Sequence, residues 1–587
     1  MHIIKKYLLG HLLVFILFFL AACFITYPLI FNLGKITTGY GDELLIAWIS
    51  NWNIHKLFEN PLGFINLFNT NSFFPYLNTL AYSETFITSS LISFLPLLIF
   101  KESIVANNFT IISSILLLGF GSYLLTFYIT RNYLLSFLSG ILIQFSPVTL
   151  DKIVHLQVLA IYFLPFSIYF FLNFLRIKKF IYYLLFLFML LLQVYNSFMP
   201  GYFIIFSSLI ICFFFIAENK KRINLFKSKK IIISSLVLIL LTIPIILPYY
   251  KVSDEFKYVR DIREAIHLSL QPEDFLSTNS YSRLNEIFAS FSFNQCSHVN
   301  CEVKPGFLGS IFSVLAIFSS IYLFFNWKRQ KYIIKSLFTT AILGLILSLG
   351  PFLHLARYTI HNPFPIPLPY ALFYYTLPGF NGFRNSSRFE MLFLILMAIL
   401  ISYVLIIVFK KISKIKFFIL YILLCLGIIL EFNFPITFYP IKQINDFPKV
   451  YSWLNSVPKQ TVIIEMPIFT WNMLPYVLTE NWRLYYSTAN YRNRVNGASG
   501  FTPEPWKNFA IKTLEQFPSD KSIFEIKKRG VNLIIIHQKE YDLLYKNNFT
   551  VNDKKIDDGT TIINLLKSNS NLQLIKIFED AYVFKIK

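Results

Sequence analysis

Phe389 to Phe409 reads FEMLFLILMAILISYVLIIVF, a run long and apolar enough to cross a hydrocarbon core as a helix, with one carboxylate at its start. Arg384 and Arg388 precede it and Lys410-Lys411 follow it. Runs of this kind recur along the chain. With backbone groups needing internal partners inside lipid, they mark a polytopic α-helical membrane protein. The reading predicts eleven spans, at 7–31, 104–130, 133–149, 157–175, 179–197, 200–217, 231–250, 306–326, 333–350, 389–409 and 416–434. Composition agrees: 55% of residues are hydrophobic and 14% charged, against roughly 25% charged in soluble domains.

The net charge of +22 is a topology signal. Lys5-Lys6, Arg176 with Lys178-Lys179, Lys220 to Lys230, Lys328-Arg329 and Lys410 to Lys416 sit in short segments between apolar runs. All fall on one side if the N-terminus is cytoplasmic and the Pro96-interrupted stretch 85–100 is interfacial or re-entrant rather than spanning. A nucleic-acid partner is excluded on this pattern. Segments 32–84, 251–305, 351–388 and the tail then lie outside a plasma (inner) membrane. An uncleaved first helix is expected, because the apolar run behind Lys5-Lys6 continues to Phe31.

Two domains are expected, a membrane domain over 1–434 and an extracytoplasmic α/β domain over 435–587. In the tail, Thr461 to Glu465 and Val531 to His537 read as buried strands. Thr560 to Leu565 reads as another strand, and Leu572 to Ile577 with Ala581 to Ile586 as a hairpin. Trp506 to Gln516 reads as a helix. Cys23, Cys212 and Cys425 fall in apolar runs and read as inert. Cys296 and Cys301 flank a polar loop, where a disulfide, free thiols and a metal site using His298 are all open.

Candidate chemistry begins in Thr38-Gly-Tyr-Gly-Asp42-Glu43, two adjacent carboxylates at the mouth of the first span. Asp42 begins a helix whose Leu45, Trp48, Ile49 and Trp52 share a face, expected to lie in the interface plane with its indoles at headgroup depth. Two readings of Asp42 stand, a helix cap and a reactive carboxylate. Asp151 and His155 follow Ser146-Pro147 at an outer helix end. Arg260, Arg263, Arg384 and Arg388 are outer-side cations, suited either to bidentate phosphate binding or to anchoring on anionic lipid. In the tail, Trp482, Tyr491 and Trp506 are open to two roles, core packing and stacking on sugar rings.

These features in this order resemble the GT-C superfamily of membrane glycosyltransferases, in particular the bacterial multispanning group with an outer C-terminal domain. The resemblance rests on Gly41-Asp42-Glu43, Phe74-Pro75 with Thr79-Leu80-Ala81, and His155-Leu-Gln with Leu164-Pro165. It rests also on Leu377-Pro-Gly-Phe with Arg384 to Phe389, and Val495-Asn-Gly-Ala-Ser-Gly-Phe501-Thr-Pro503, and runs from about residue 10 to 540. It implies a polyprenyl-phosphate-linked sugar donor and an acceptor that is a glycolipid, a polysaccharide or a protein. It implies Asp42 as general base in an inverting displacement, Glu43 assisting or helping to hold a divalent cation, and the four arginines facing the leaving phosphate. The chain departs from the pattern at the second acidic position, where Asp151 is the nearest counterpart. A transporter or flippase of lipid-linked sugars and a non-catalytic envelope scaffold are the competing functions. Few ionisable residues inside the spans argue against the transporter.

Overall fold

The structure is a computed structural model that describes residues 2–59, 63–276, 282–283, 306–355, 358–359, 365–410, 412–433 and 436–587. Cys296 and Cys301 lie outside the described residues. Most of the chain is helical. Among the described residues five helices are long and apolar enough to cross a membrane, six if Tyr133–Gln144 and Pro147–Val154, bent by 44° at their junction, count as one. Each of the other expected spans contains a shorter or less apolar helix, and Ile87–Phe100 is a helix of its own with Pro96 inside it.

The contacts divide the chain into two compact units. The first comprises Met1–Phe31, Thr110–Pro244 and Tyr258–Thr437. Its centre is Glu390–Phe409, buried along most of its length and packed by Tyr133–Gln144, Ser310–Phe325 and Tyr332–Ser348. Small residues permit that packing: a Cβ on Gly344 would lie 3.0 Å from the Phe393 nitrogen, and one on Gly140 would lie 2.7 Å from the Gly119 carbonyl. Close backbone approach replaces hydrophobic driving force between helices in lipid. Lys229–Phe256 is the opposite case, with only 11% of its apolar window buried and its Ile233, Leu236 and Leu240 exposed.

The second unit comprises Asn32–Phe109, Ile245–Lys257 and Phe438–Lys587. A five-stranded sheet runs Leu572–Ile577, Ala581–Ile586, Leu533–His537, Val462–Met466, Asn493–Arg494 in spatial order. Val462–Met466 pairs in parallel with both Asn493–Arg494 and Leu533–His537, and Ala581–Ile586 adds antiparallel. Both five-residue strands are buried at every position, as strands covered on both faces must be. The parallel pairs require helical crossovers, supplied by Leu478–Ser487 on one side and by Glu504–Gln516 with Asp520–Lys528 on the other.

The first loop completes this sheet. Arg494 donates its amide to the Asn71 carbonyl (2.8 Å), and Phe74 and Phe73 donate to the carbonyls of Arg494 and Asn496 (2.9 and 3.1 Å). Gly497 lies under Phe73, where a Cβ would come within 2.5 Å of the ring. Ile36–Thr37 pairs antiparallel with Tyr439–Pro440.

The expected strands at 461–465 and 531–537, the hairpin and the 506–516 helix all appear. The strand expected at 560–565 does not: Gly559–Ser568 is a helix. Asp558 caps it, accepting from the Thr561 amide at 3.0 Å, and Ile562, Ile563 and Leu566 form its buried stripe. The cap and the amphipathic spacing outweigh the β-branched run.

Candidate active site

The helix Asp42–Glu59 starts where the sequence places it, in the second unit. Its indoles, however, are not at headgroup depth. Trp48 and Trp52 are each 3% exposed, and their Nε1–H groups donate to Asn71 Oδ1 (3.2 Å) and the Leu67 carbonyl (2.8 Å). Protein covers this face, and protein acceptors satisfy the indoles as buried tryptophans require.

The adjacent carboxylates have different surroundings. Glu43 is buried and folds back onto the loop before it. Thr38 donates its hydroxyl to Glu43 Oε1 (3.3 Å) and Gly41 donates its amide to Oε2 (3.1 Å). A Cβ on Gly39 would lie 2.6 Å from Oε1, so this glycine makes room for the carboxylate. Burial pushes the Glu43 carboxyl above its ordinary range, the neighbouring Asp42 charge adds to the rise, and hydrogen bonds from the main chain and Thr38 oppose it. Asp42 is half-buried at the first helical residue, where the helix dipole favours negative charge. Asn481 donates to the Gly41 carbonyl at 3.2 Å and so ties this turn to the helix Leu478–Ser487.

The remaining candidates belong to the first unit. Glu264 receives two of the arginines, with Arg260 Nη1 and Arg384 Nε each 3.5 Å from its Oε2. Arg384 is the more exposed, at 53% of its side chain, and Arg260 lies over the Tyr258 ring. Arg263 is exposed on the short helix Ile262–His267, capped by Asp261. Arg388 is half-buried in the turn Ser386–Phe389 that leads into Glu390–Phe409.

Asp151 has a partner the sequence reading missed. Lys152 Nζ lies 2.8 Å from Asp151 Oδ2 and 3.1 Å from Glu390 Oε1, with Lys152 and Glu390 both buried. The chemical signal was available, since Glu390 is the single carboxylate of the 389–409 run. It occupies the first turn of its helix. His155, half-buried, ends the 3-10 turn after Asp151, and its carbonyl accepts from Val158.

A second missed cluster lies within the five-stranded sheet. Glu465 Oε1 meets Arg494 Nη1 at 2.6 Å, and its Oε2 accepts from the Tyr451 hydroxyl (2.6 Å) and faces His537 Nε2 (2.9 Å). Arg483 joins Glu480 (2.7 Å) and Glu540 (2.5 Å), and Asn496 bridges Glu465 and Glu480. Burial alone would raise Glu465; Arg494, the His537 hydrogen bond and Arg483 outweigh it and hold the carboxyl at about 2. For Glu480 burial prevails over Arg483 and lifts it to about 7. At His537 burial works downward but is outweighed by Glu540 and the bond to Glu465, leaving the imidazole above its ordinary value. Five chain segments meet in this cluster, around Tyr451, Glu465, Glu480 with Arg483, Arg494 with Asn496, and His537 with Glu540.

Of the aromatic candidates, Trp506 is core. It is 1% exposed, and its indole donates to the Val495 carbonyl at 2.7 Å. Tyr491 stacks on His55, with centroids 4.0 Å apart. Trp482 is half-exposed. For a divalent cation the fit is poor: both Glu43 oxygens are turned to the loop, and among the described residues no three His, Cys, Asp or Glu side chains gather as a ligand set.

No protein-family model matches the sequence, and no curated protein does. Among solved structures, the chain is similar over 91% of its length to the Archaeoglobus fulgidus oligosaccharyltransferase in its apo form, at 13% identity and a TM-score of 0.48, spanning 70% of that chain. It is similar over 92% to the oligosaccharyltransferase AglB of the same archaeon in complex with an inhibitory peptide and a dolichol-phosphate, at 12% identity and a TM-score of 0.43, again spanning 70%. The arabinofuranosyltransferase AftD from Mycobacteria is similar over 98% of this chain at 10% identity and a TM-score of 0.48, and this chain spans 40% of it.

Proposed function

We propose that the chain is a membrane glycosyltransferase of the GT-C type, moving a sugar from a polyprenyl-phosphate donor to an acceptor outside the plasma membrane. In this reading eleven spans cross the bilayer with the N-terminus cytoplasmic, and the tail from residue 435 faces outward. The observation that carries the chemistry is the placement of the paired carboxylates in the first turn of the helix Asp42–Glu59. Glu43 is buried with both oxygens engaged by Thr38 and Gly41 and holds the loop. Asp42, half-buried at the helix start, is the reacting carboxylate in this reading.

Asp42 takes the proton from an acceptor hydroxyl as that oxygen attacks the anomeric carbon. The bond to the lipid phosphate breaks, the carbon inverts, and the phosphate leaves as an anion. Arg384, Arg388, Arg260 and Arg263, in that order, are the candidates to stabilise such an anion. His155 and Asp151 are assigned to substrate binding. No step is routed through a metal.

Asp42→Asn keeps the shape of the side chain and removes the base. Transfer should fall about 10²- to 10⁴-fold with unchanged expression and membrane insertion. The measurement is mass spectrometry of envelope glycans in cells carrying wild type or variant, with turnover of a radiolabelled polyprenyl-phosphate sugar by purified protein. Unchanged glycans and turnover would remove Asp42 from the mechanism.

A further inference from the structure

Trp482 and Tyr486 are four apart on the helix Leu478–Ser487 and share a face, with centroids 5.5 Å apart. Tyr40 extends the row, 4.9 Å from Trp482, and Tyr439 continues it, 5.5 Å from Tyr40. Tyr439 is 41% exposed and the other three are half-buried, which distinguishes them from the buried Trp48, Trp52 and Trp506 of the same unit. The platform is rigid. Its rings pack on a buried cluster of Leu44, Ala47, Ile104, Ile441, Phe447 and Tyr485, and the Tyr40 hydroxyl is tied to the Pro440 carbonyl at 2.9 Å. Pairing of Thr37 with Tyr439 fixes the far end.

Its position gives it meaning. Tyr40 is two residues from Asp42, and Asn481, next to Trp482, donates to the Gly41 carbonyl. Aromatic faces that are apolar in the middle and polar at the rim match a sugar ring, whose C–H faces are apolar and whose hydroxyls lie at the edge. Lys442, 5.9 Å above the Tyr486 ring, adds a hydrogen-bond donor at the margin.

We propose that Tyr40, Tyr439, Trp482 and Tyr486 form a stacking subsite for a sugar ring of the acceptor, so that the acceptor is itself a carbohydrate chain; this rests on the transferase reading. The test uses the full chain in lipid nanodiscs and saturation-transfer NMR with cellotriose, maltotriose, mannotriose and chitotriose. At least one trisaccharide should receive saturation through its C–H protons. Trp482→Leu should weaken its binding about tenfold, the size of one well-formed stack, at an unchanged Tm. Trp482→Phe should retain most of the binding and exclude a general loss of structure.

Absence of transfer to every trisaccharide in wild type, or equal binding by Trp482→Leu, overturns the subsite. So does quenching of tryptophan fluorescence by brominated lipid that disappears in Trp482→Phe, because the platform would then face the bilayer. If Trp482→Leu loses binding while Asp42→Asn keeps full transfer, the subsite stands and the catalytic reading fails.

Discussion

Glu465→Gln tests the buried ionic cluster directly. Glu465 is fully buried, with Arg494 at 2.6 Å and the Tyr451 hydroxyl at 2.6 Å. Burial works against its charge; Arg494, His537 and Arg483 more than compensate and bring the carboxyl from its ordinary 4.5 to about 2. At roughly 1.4 kcal/mol per pH unit, that drop is worth about 3 kcal/mol. Removing one partner of a buried ion pair costs about 3–5 kcal/mol by a separate route, so the two figures agree. The sign follows from linkage. A carboxyl depressed in the folded state contributes its full stability above its unfolded value near 4.5 and loses it as pH falls toward 2. The assay is hydrogen exchange of the Val462–Met466 and Leu533–His537 amides in full-length protein. At neutral pH the variant should lose about 10²-fold in protection. Between pH 4.5 and 2 wild type should lose protection steeply while the variant changes much less. Equal protection at neutral pH, or parallel acid profiles, would refute the assignment of Glu465 as the anion that holds this sheet.

Two further outcomes are expected. Lys152→Met should cost about 3–5 kcal/mol, read as thermal unfolding in detergent, because it strands Glu390 as a buried charge; adding Glu390→Gln should recover much of that loss. Gly39→Ala should drive the Glu43 carboxylate off its loop, since the new Cβ would lie 2.6 Å from Oε1. At about 1.5–3 kcal/mol for a hydrogen bond to a charged group, the Gly41 amide should exchange at least tenfold faster; an unchanged rate would show that Glu43 does not hold the turn.

Much of the helical frame was legible because its signals are local. Length and apolarity announced Glu390–Phe409, and a carboxylate pair followed by an amphipathic run announced Asp42–Glu59. What covers an apolar face is not local. The sequence places the Trp48 and Trp52 indoles at headgroup depth, and only the folded chain supplies Asn71 and the Leu67 carbonyl as their acceptors. At Gly559–Ser568 the signal was present, with Asp558 as a ready cap, but the β-branched run took precedence. The ionic cluster was hidden for another reason. Glu465, Glu480, Arg483, Arg494, His537 and Glu540 are spread along the tail, and each alone reads as a solvated charge. Their meeting depends on the parallel pairing of Val462–Met466 with its two neighbours. At the candidate site, sequence pointed to the turn at 41–43, but the different surroundings of Asp42 and Glu43 came from loop geometry.

The pairing of Thr37 with Tyr439 joins residues four hundred positions apart, and Asn71 meets the Arg494 amide across a comparable interval. Closing such intervals is slow, because chain entropy is lost before contacts reward it. The loop bearing Asp42 is made some four hundred residues before the strand and helix that fasten it. The turn at 41–43 therefore waits, without its fastenings, while the helices between are made. Its geometry is completed only as the tail folds, so assembly of the candidate site reports that the preceding chain has been made.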